Sequence, residues 1–183
     1  PKGPAQRVMV YGRPGIGKTT FTSKLISEWR QGRIYSQFQW VVRILLRDRS
    51  LMMMEQNKDP SLSQLIHGHC MQSSPHITAA AIDSLLRSRG QHILIILDGY
   101  DEYQHNRIPA LDELIERRSS ASEYRHVRVL MTSRPAAVSQ LIQQQPPNQV
   151  ALFDRAVEIV GFGAREAEEF VTRYFVGSTE PHQ

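Results

Sequence analysis

Gly12-Arg-Pro-Gly-Ile-Gly-Lys-Thr19 decides the fold. The stretch has the form G-x-x-x-x-G-K-[ST]. It follows a short apolar run, Arg7–Tyr11, and precedes Phe21, Leu25, Ile26 and Trp29, which recur at helical spacing. A buried strand, a glycine-rich turn and a helix, in that order, predict a phosphate cradle. The glycines let successive N–H groups point inward and let a phosphate come close. The helix beginning near Lys18 adds its positive end. Lys18 supplies a point charge for β- and γ-phosphates, and the Thr19 hydroxyl is a candidate Mg²⁺ ligand. At ordinary residue usage the four fixed positions coincide by chance in less than about 1% of chains this long, so the match reads as a binding loop. Gly12, Arg13, Pro14, Gly15, Ile16, Gly17, Lys18, Thr19 and Thr20 are its expected members.

The rest of the chain alternates strand and helix. Phe38–Leu46, Ile93–Leu97, Val127–Met131 and Val157–Val160 read as the second to fifth strands. Ile93–Leu97 has five consecutive apolar residues without alternation, the pattern of a strand covered on both faces inside a parallel sheet. Helices are expected over Thr19–Trp29, Ser61–His69, Thr78–Arg89, Pro109–Arg117, Ala136–Gln144 and Ala164–Phe175, with Gly32 and Gly90 closing the first and third. Met52–Met54 read as loop packing, and Gln143–Gln149 as a polar loop. Such alternation gives a three-layer α/β sandwich on a mainly parallel sheet.

Two further boxes carry chemistry. Ile93–Leu97 runs into Asp98-Gly-Tyr-Asp-Glu102, so Asp98 stands at the tip of a buried strand, where it would hold Mg²⁺, through water. Glu102 is the expected base or water-orienting residue, with Asp101 as second candidate; the alternative is an acidic first turn of a following helix. Val127-Arg-Val-Leu-Met-Thr-Ser-Arg-Pro135 ends a strand in polar residues and places Arg134 where it could touch a γ-phosphate. The alternative there is a surface arginine or a salt bridge.

Composition removes several classes. With 183 residues, 40% hydrophobic and 22% charged, the chain can bury the core of a globular domain and lacks a disordered composition. No apolar stretch approaches the ~20 residues of a membrane span, and the N-terminus has no signal-peptide pattern. The single cysteine, Cys70, excludes an internal disulfide framework and fits a reducing compartment. The net charge of +4 is scattered, which reads as solvated faces and makes a nucleic-acid partner the lesser expectation. His67-Gly-His69-Cys70 lacks a second ligand pair and reads as structural. Arg43, Arg47 and Arg49 read as an exposed strand edge, with an oligomer interface as the alternative. Pro1–Gln6 and Ser178–Gln183 read as linker, as in a domain excised from a longer protein.

Taken in this order, Gly12–Thr20, Leu97-Asp-Gly-Tyr-Asp-Glu102 and Leu130-Met-Thr-Ser-Arg-Pro135 resemble the NACHT domain, the STAND-class ATPase core of NOD-like innate immune receptors. Val160-Gly-Phe162 and the helix ending Tyr174-Phe175 resemble the family's passage into its first helical subdomain. On that likeness, 1–162 is the nucleotide-binding subdomain and 163–183 the start of the helical one. The resemblance implies a P-loop NTPase sandwich with a five-stranded sheet in the order 5-1-4-3-2, and it puts Arg134 between the two phosphate-binding boxes. It also implies ATP and ADP with Mg²⁺, slow hydrolysis, and a cytoplasmic switch. ADP would hold a closed monomer, and ATP would permit oligomers that recruit a signalling adaptor, as in inflammasomes, through domains outside this sequence. The family's winged-helix subdomain is also outside it, so weak nucleotide binding is expected. Two other classes are weighed. A nucleic-acid-remodelling AAA+-like ATPase is suggested only by the positive charge, and a small-molecule kinase would need an arginine-rich lid that is not evident.

Overall fold

Five strands form one sheet: β1 (Arg7–Tyr11), β2 (Trp40–Leu45), β3 (Ile93–Asp98), β4 (Arg128–Ser133) and β5 (Arg155–Glu158). They lie in the order β2-β3-β4-β1-β5, every pair parallel, which is the expected 5-1-4-3-2. The helices are α1 (Lys18–Arg30), α2 (Leu62–Cys70), α3 (Ala79–Arg89), α4 (Tyr100–Tyr103), α5 (Pro109–Glu116), α6 (Pro135–Gln143) and α7 (Ala164–Val176). This computed structural model describes residues 5–47, 60–71, 76–103, 108–116, 124, 126–143 and 152–176. Met52–Met54, Arg49, the loop beyond Gln143 and the linker residues 1–4 and 178–183 lie outside them.

The unbroken apolar run of β3 has a direct cause. Ile93, Ile95 and Leu97 join the core built with α2, α3, α5 and α6, while Leu94 and Ile96 join the core under α1. All six β3 positions are buried; the first five are apolar, and Asp98 at the sixth is admitted because Thr132 and Thr22 satisfy its oxygens. Truncating Ile95, which has no exposed surface, to alanine would cost roughly 2–5 kcal/mol.

Local sequence closes the elements around this core. Gly32, at φ +69°, ends α1: its N–H reaches the Trp29 carbonyl at 2.8 Å and Arg33 N–H the Glu28 carbonyl at 3.0 Å. That pair of bonds is the Schellman arrangement. Ser61 and Gln64 start α2 with a reciprocal capping box. The other end of α2 covers the sheet edge. Leu45 N–H donates to His69 Nε2 at 3.2 Å, and the Cys70 thiol donates to the Arg43 carbonyl at 3.4 Å. Free edge groups of β2 are thereby satisfied, and His69 and Cys70 have a structural task.

Several element boundaries differ from expectation. The fifth strand lies two residues earlier, at Arg155–Glu158, because Asp154 Oδ2 accepts the N–H groups of Gln6 (2.6 Å) and Arg7 (2.9 Å) and sets the register against β1. β4 continues through Thr132 and Ser133, whose pairing with β1 outweighs their polarity. Tyr100–Tyr103 forms a helical turn of its own, α4. Gly90 ends α3 as expected, as a right-handed residue that opens a 3₁₀ turn over Gly90–His92; a Cβ there would stand 3.2 Å from Val127 Cγ2. Among the described residues no helix is long and apolar enough to cross a membrane.

Candidate functional site

The turn between β1 and α1 is a cradle with open donors. Gly15 and Gly17 have φ of +75° and +99°, a region costly for any residue with a Cβ. Gly12 is needed for a different reason, since a Cβ there would meet Ile16 Cγ2 at 2.9 Å and the Ile159 carbonyl at 3.0 Å. Among the described residues, the N–H groups of Gly15, Gly17, Lys18, Thr19 and Thr20 find no acceptor, and no side chain caps α1. Five free donors around a helix N-terminus form a site for an anion.

Lys18 folds back into this turn. Its Nζ donates to the carbonyls of Gly12 at 2.7 Å and Arg13 at 3.0 Å. Burial holds its pKa below the ordinary lysine value. Asp101 opposes that shift, Arg134 adds to it, and Asp98 and Glu102 oppose it more weakly. An arriving phosphate would relieve part of this cost by adding negative charge beside the ammonium.

Asp98, at the end of β3, is buried and engaged at both oxygens. Thr132 Oγ1 donates to Oδ1 at 2.6 Å, and Thr22 Oγ1 to Oδ2 at 3.0 Å. Thr132 Oγ1 also accepts Gly99 N–H at 3.0 Å, which ties the ends of β3 and β4 together. Gly99 turns the chain at φ +90° into α4. That turn brings up Asp101 and Glu102. Asp101 Oδ1 accepts Arg134 N–H at 3.1 Å, Asp101 Oδ2 pairs with Arg134 Nε at 2.8 Å, and Glu102 Oε1 stands 3.9 Å from Arg134 Nη2.

These groups share one pocket of about 340 Å³ at the carboxyl edge of the sheet. Pro14, Gly15, Gly17, Lys18, Thr19 and Thr20 line it from the cradle, facing Asp98, Asp101, Glu102 and Arg134. Gly12, Arg13 and Ile16 stand behind: two give their carbonyls to Lys18, and Ile16 packs against the segment after β5. The sequence reading assigned no site role to Thr22 or Arg47. Thr22 falls on the same inward face of α1 as Leu25 and is fully buried, a pattern helical spacing could have revealed. Arg47, also on the pocket wall, carried no local signal. A larger cleft of about 640 Å³ runs beside β2, between Trp29, Trp40 and Met71, and contains none of the cradle's donors.

The donor set suits Mg²⁺. Asp98 offers a carboxylate and Thr19 a hydroxyl without a hydrogen-bond partner among the described residues, both hard oxygen ligands. Among the described residues no group of three or more His, Cys, Asp and Glu side chains could by itself hold a metal ion.

A phosphate cradle at the first strand–helix turn of a parallel 5-1-4-3-2 sheet defines the class, a P-loop NTPase domain. The sequence matches the NACHT domain family over residues 6–178, and the chain belongs to that family. It is 30% identical over 174 residues to NACHT, LRR and PYD domains-containing protein 10 of Mus musculus, covering 92% of this chain and 22% of that protein. It is 30% identical over 180 residues to protein NLRC5 of Mus musculus, covering 95% and 9%. It is 27% identical over 186 residues to NACHT, LRR and PYD domains-containing protein 3 of Homo sapiens, covering 94% and 16%. The chain thus spans less than a quarter of the length of these NOD-like receptor relatives. Its fold is similar to that of the Aeropyrum pernix ORC2 protein in ADPNP–ADP complexes, with a TM-score of 0.55 at 17% identity over 93% of this chain and 46% of that one. At that identity the likeness concerns the fold alone.

Proposed function

We propose that this chain is the nucleotide-operated switch of a NOD-like receptor, binding Mg²⁺-ATP and Mg²⁺-ADP and hydrolysing ATP slowly. The observation that carries the reading is the meeting, in one pocket, of free cradle N–H groups with Asp98, Asp101, Glu102 and Arg134. The N–H groups and Lys18 grip the phosphates. Thr19, and Asp98 through water, would hold Mg²⁺, which would offset phosphate charge. Glu102 orients a water and accepts its proton as the water oxygen bonds to the terminal phosphorus. The bond to the leaving diphosphate oxygen breaks, giving ADP and phosphate.

The switch rests on Arg134. Its guanidinium is paired with Asp101. A terminal phosphate offers it a competing anion, so ATP and ADP would leave α4 in different contacts. Ile16 supports a second link: it lies against Gly161, on the segment leading to α7, where we place the start of the helical subdomain at 163. In the full-length cytoplasmic receptor, this difference would control self-oligomerisation and adaptor recruitment through other domains. Measuring ATP turnover by wild type, Lys18→Ala and Glu102→Gln tests the reading. Turnover abolished by Lys18→Ala and strongly slowed by Glu102→Gln supports it, whereas wild-type turnover in both variants removes it.

A further inference from the structure

Arg47 leaves β2 directly beside the end of β3. Leu45 pairs with Asp98 in the sheet, and Leu46 N–H donates to the Asp98 carbonyl at 2.9 Å, which fixes the following residue at the pocket mouth. The Arg47 side chain lines the same pocket as Lys18 and Arg134. Those two cations are occupied, one by cradle carbonyls and one by Asp101. Arg47 is exposed, and its guanidinium makes no hydrogen bond or ion pair with any described residue.

Strand order says which phosphate it would meet. The cradle follows β1, Arg134 follows β4, Asp98 ends β3, and Arg47 follows β2, beyond Asp98 from the cradle. A polyphosphate gripped at the cradle, with its reacting end beside Glu102, points that end toward β3 and hence toward Arg47. Charge argues the same way. Asp98, Asp101 and Glu102 are balanced by Lys18 and Arg134 only in part, and Arg47 supplies the third positive charge. A free, planar guanidinium is suited to a bidentate grip on phosphate oxygens.

We propose that Arg47 binds the terminal phosphate and makes the site favour a nucleoside triphosphate over a diphosphate. This rests on the nucleotide-switch reading above. The test is titration calorimetry with a non-hydrolysable ATP analogue and with ADP, each with Mg²⁺, on wild type, Arg47→Gln, Arg47→Lys and Lys18→Ala. Arg47→Gln should weaken the analogue about tenfold while changing ADP by less than about twofold, and Arg47→Lys should fall between. Equal loss of both ligands, or no change in either, overturns the role of Arg47 and leaves nucleotide binding standing. Failure of the wild-type chain to bind either ligand, or undiminished binding by Lys18→Ala, overturns the underlying reading and this proposal with it.

Discussion

Asp101 holds Arg134 at two points, accepting its backbone N–H at 3.1 Å and pairing with its Nε at 2.8 Å. The carboxylate is mostly buried while half of the arginine side chain is exposed, so the pair adds little to stability, on the order of 1 kcal/mol or less. Its expected importance is competitive, because the carboxylate holds the guanidinium that a terminal phosphate would take. Arg134→Ala should lower the ATP-to-ADP affinity ratio several-fold, and Asp101→Asn should raise it. The double variant should follow Arg134→Ala, since Asp101 acts on the ratio through that guanidinium. An unchanged ratio in Arg134→Ala removes the sensing role.

Glu102→Gln keeps the shape of the side chain and removes its ability to take a proton. Nucleotide affinity should stay within about twofold, and single-turnover hydrolysis should slow by about 100-fold or more. Wild-type hydrolysis in this variant would transfer the assignment away from Glu102.

Thr132→Val deletes one hydroxyl and leaves the buried Asp98 Oδ1 and the part-buried Gly99 N–H without that partner. Folding stability should fall by about 2–3 kcal/mol, read from chemical denaturation. Exposed Ser23→Ala should change it by less than about 0.5 kcal/mol. A loss no greater for Thr132→Val than for Ser23→Ala would show that the Asp98 network adds nothing to folding.

Cys70 provides a pH test. Burial pushes its thiol up to about 11, with Arg43 opposing weakly. At pH 8 the folded chain should therefore react with iodoacetamide about 100-fold more slowly than the unfolded chain. The sign for stability follows from the same shift. Between pH 9 and 11 the unfolded thiol loses its proton and the folded one keeps it, so stability should decline across that window. Equal alkylation of folded and unfolded chains would contradict the half-buried, hydrogen-bonded placement.

Some of this molecule was plain in the residues and some was not, for physical reasons. β3 was legible because two opposing cores demand apolar residues at every position from Ile93 to Leu97. The cradle was legible because positive φ and a close backbone approach admit only glycine. The family resemblance supplied the strand order. The fifth strand was misplaced by two residues because its edge position exposes all four side chains, so apolar pattern says little and the Asp154 contacts decide. Arg47 read as an edge arginine because its neighbourhood depends on β2 pairing with β3, 48 residues and more away in sequence. Helical spacing could show that Thr22 is buried, but its role depends on Asp98, 76 residues away, which spacing does not reveal.

The central claim is that the Gly12–Thr20 turn grips an adenine nucleotide. Isothermal titration of the folded chain with Mg²⁺-ADP, Mg²⁺-ATP and Mg²⁺-GTP, beside Lys18→Ala of verified fold, tests it most directly. The account predicts adenine nucleotide binding in wild type, weaker binding of GTP, and loss of binding in Lys18→Ala. Binding of equal strength in Lys18→Ala, or none by folded wild type, would contradict it.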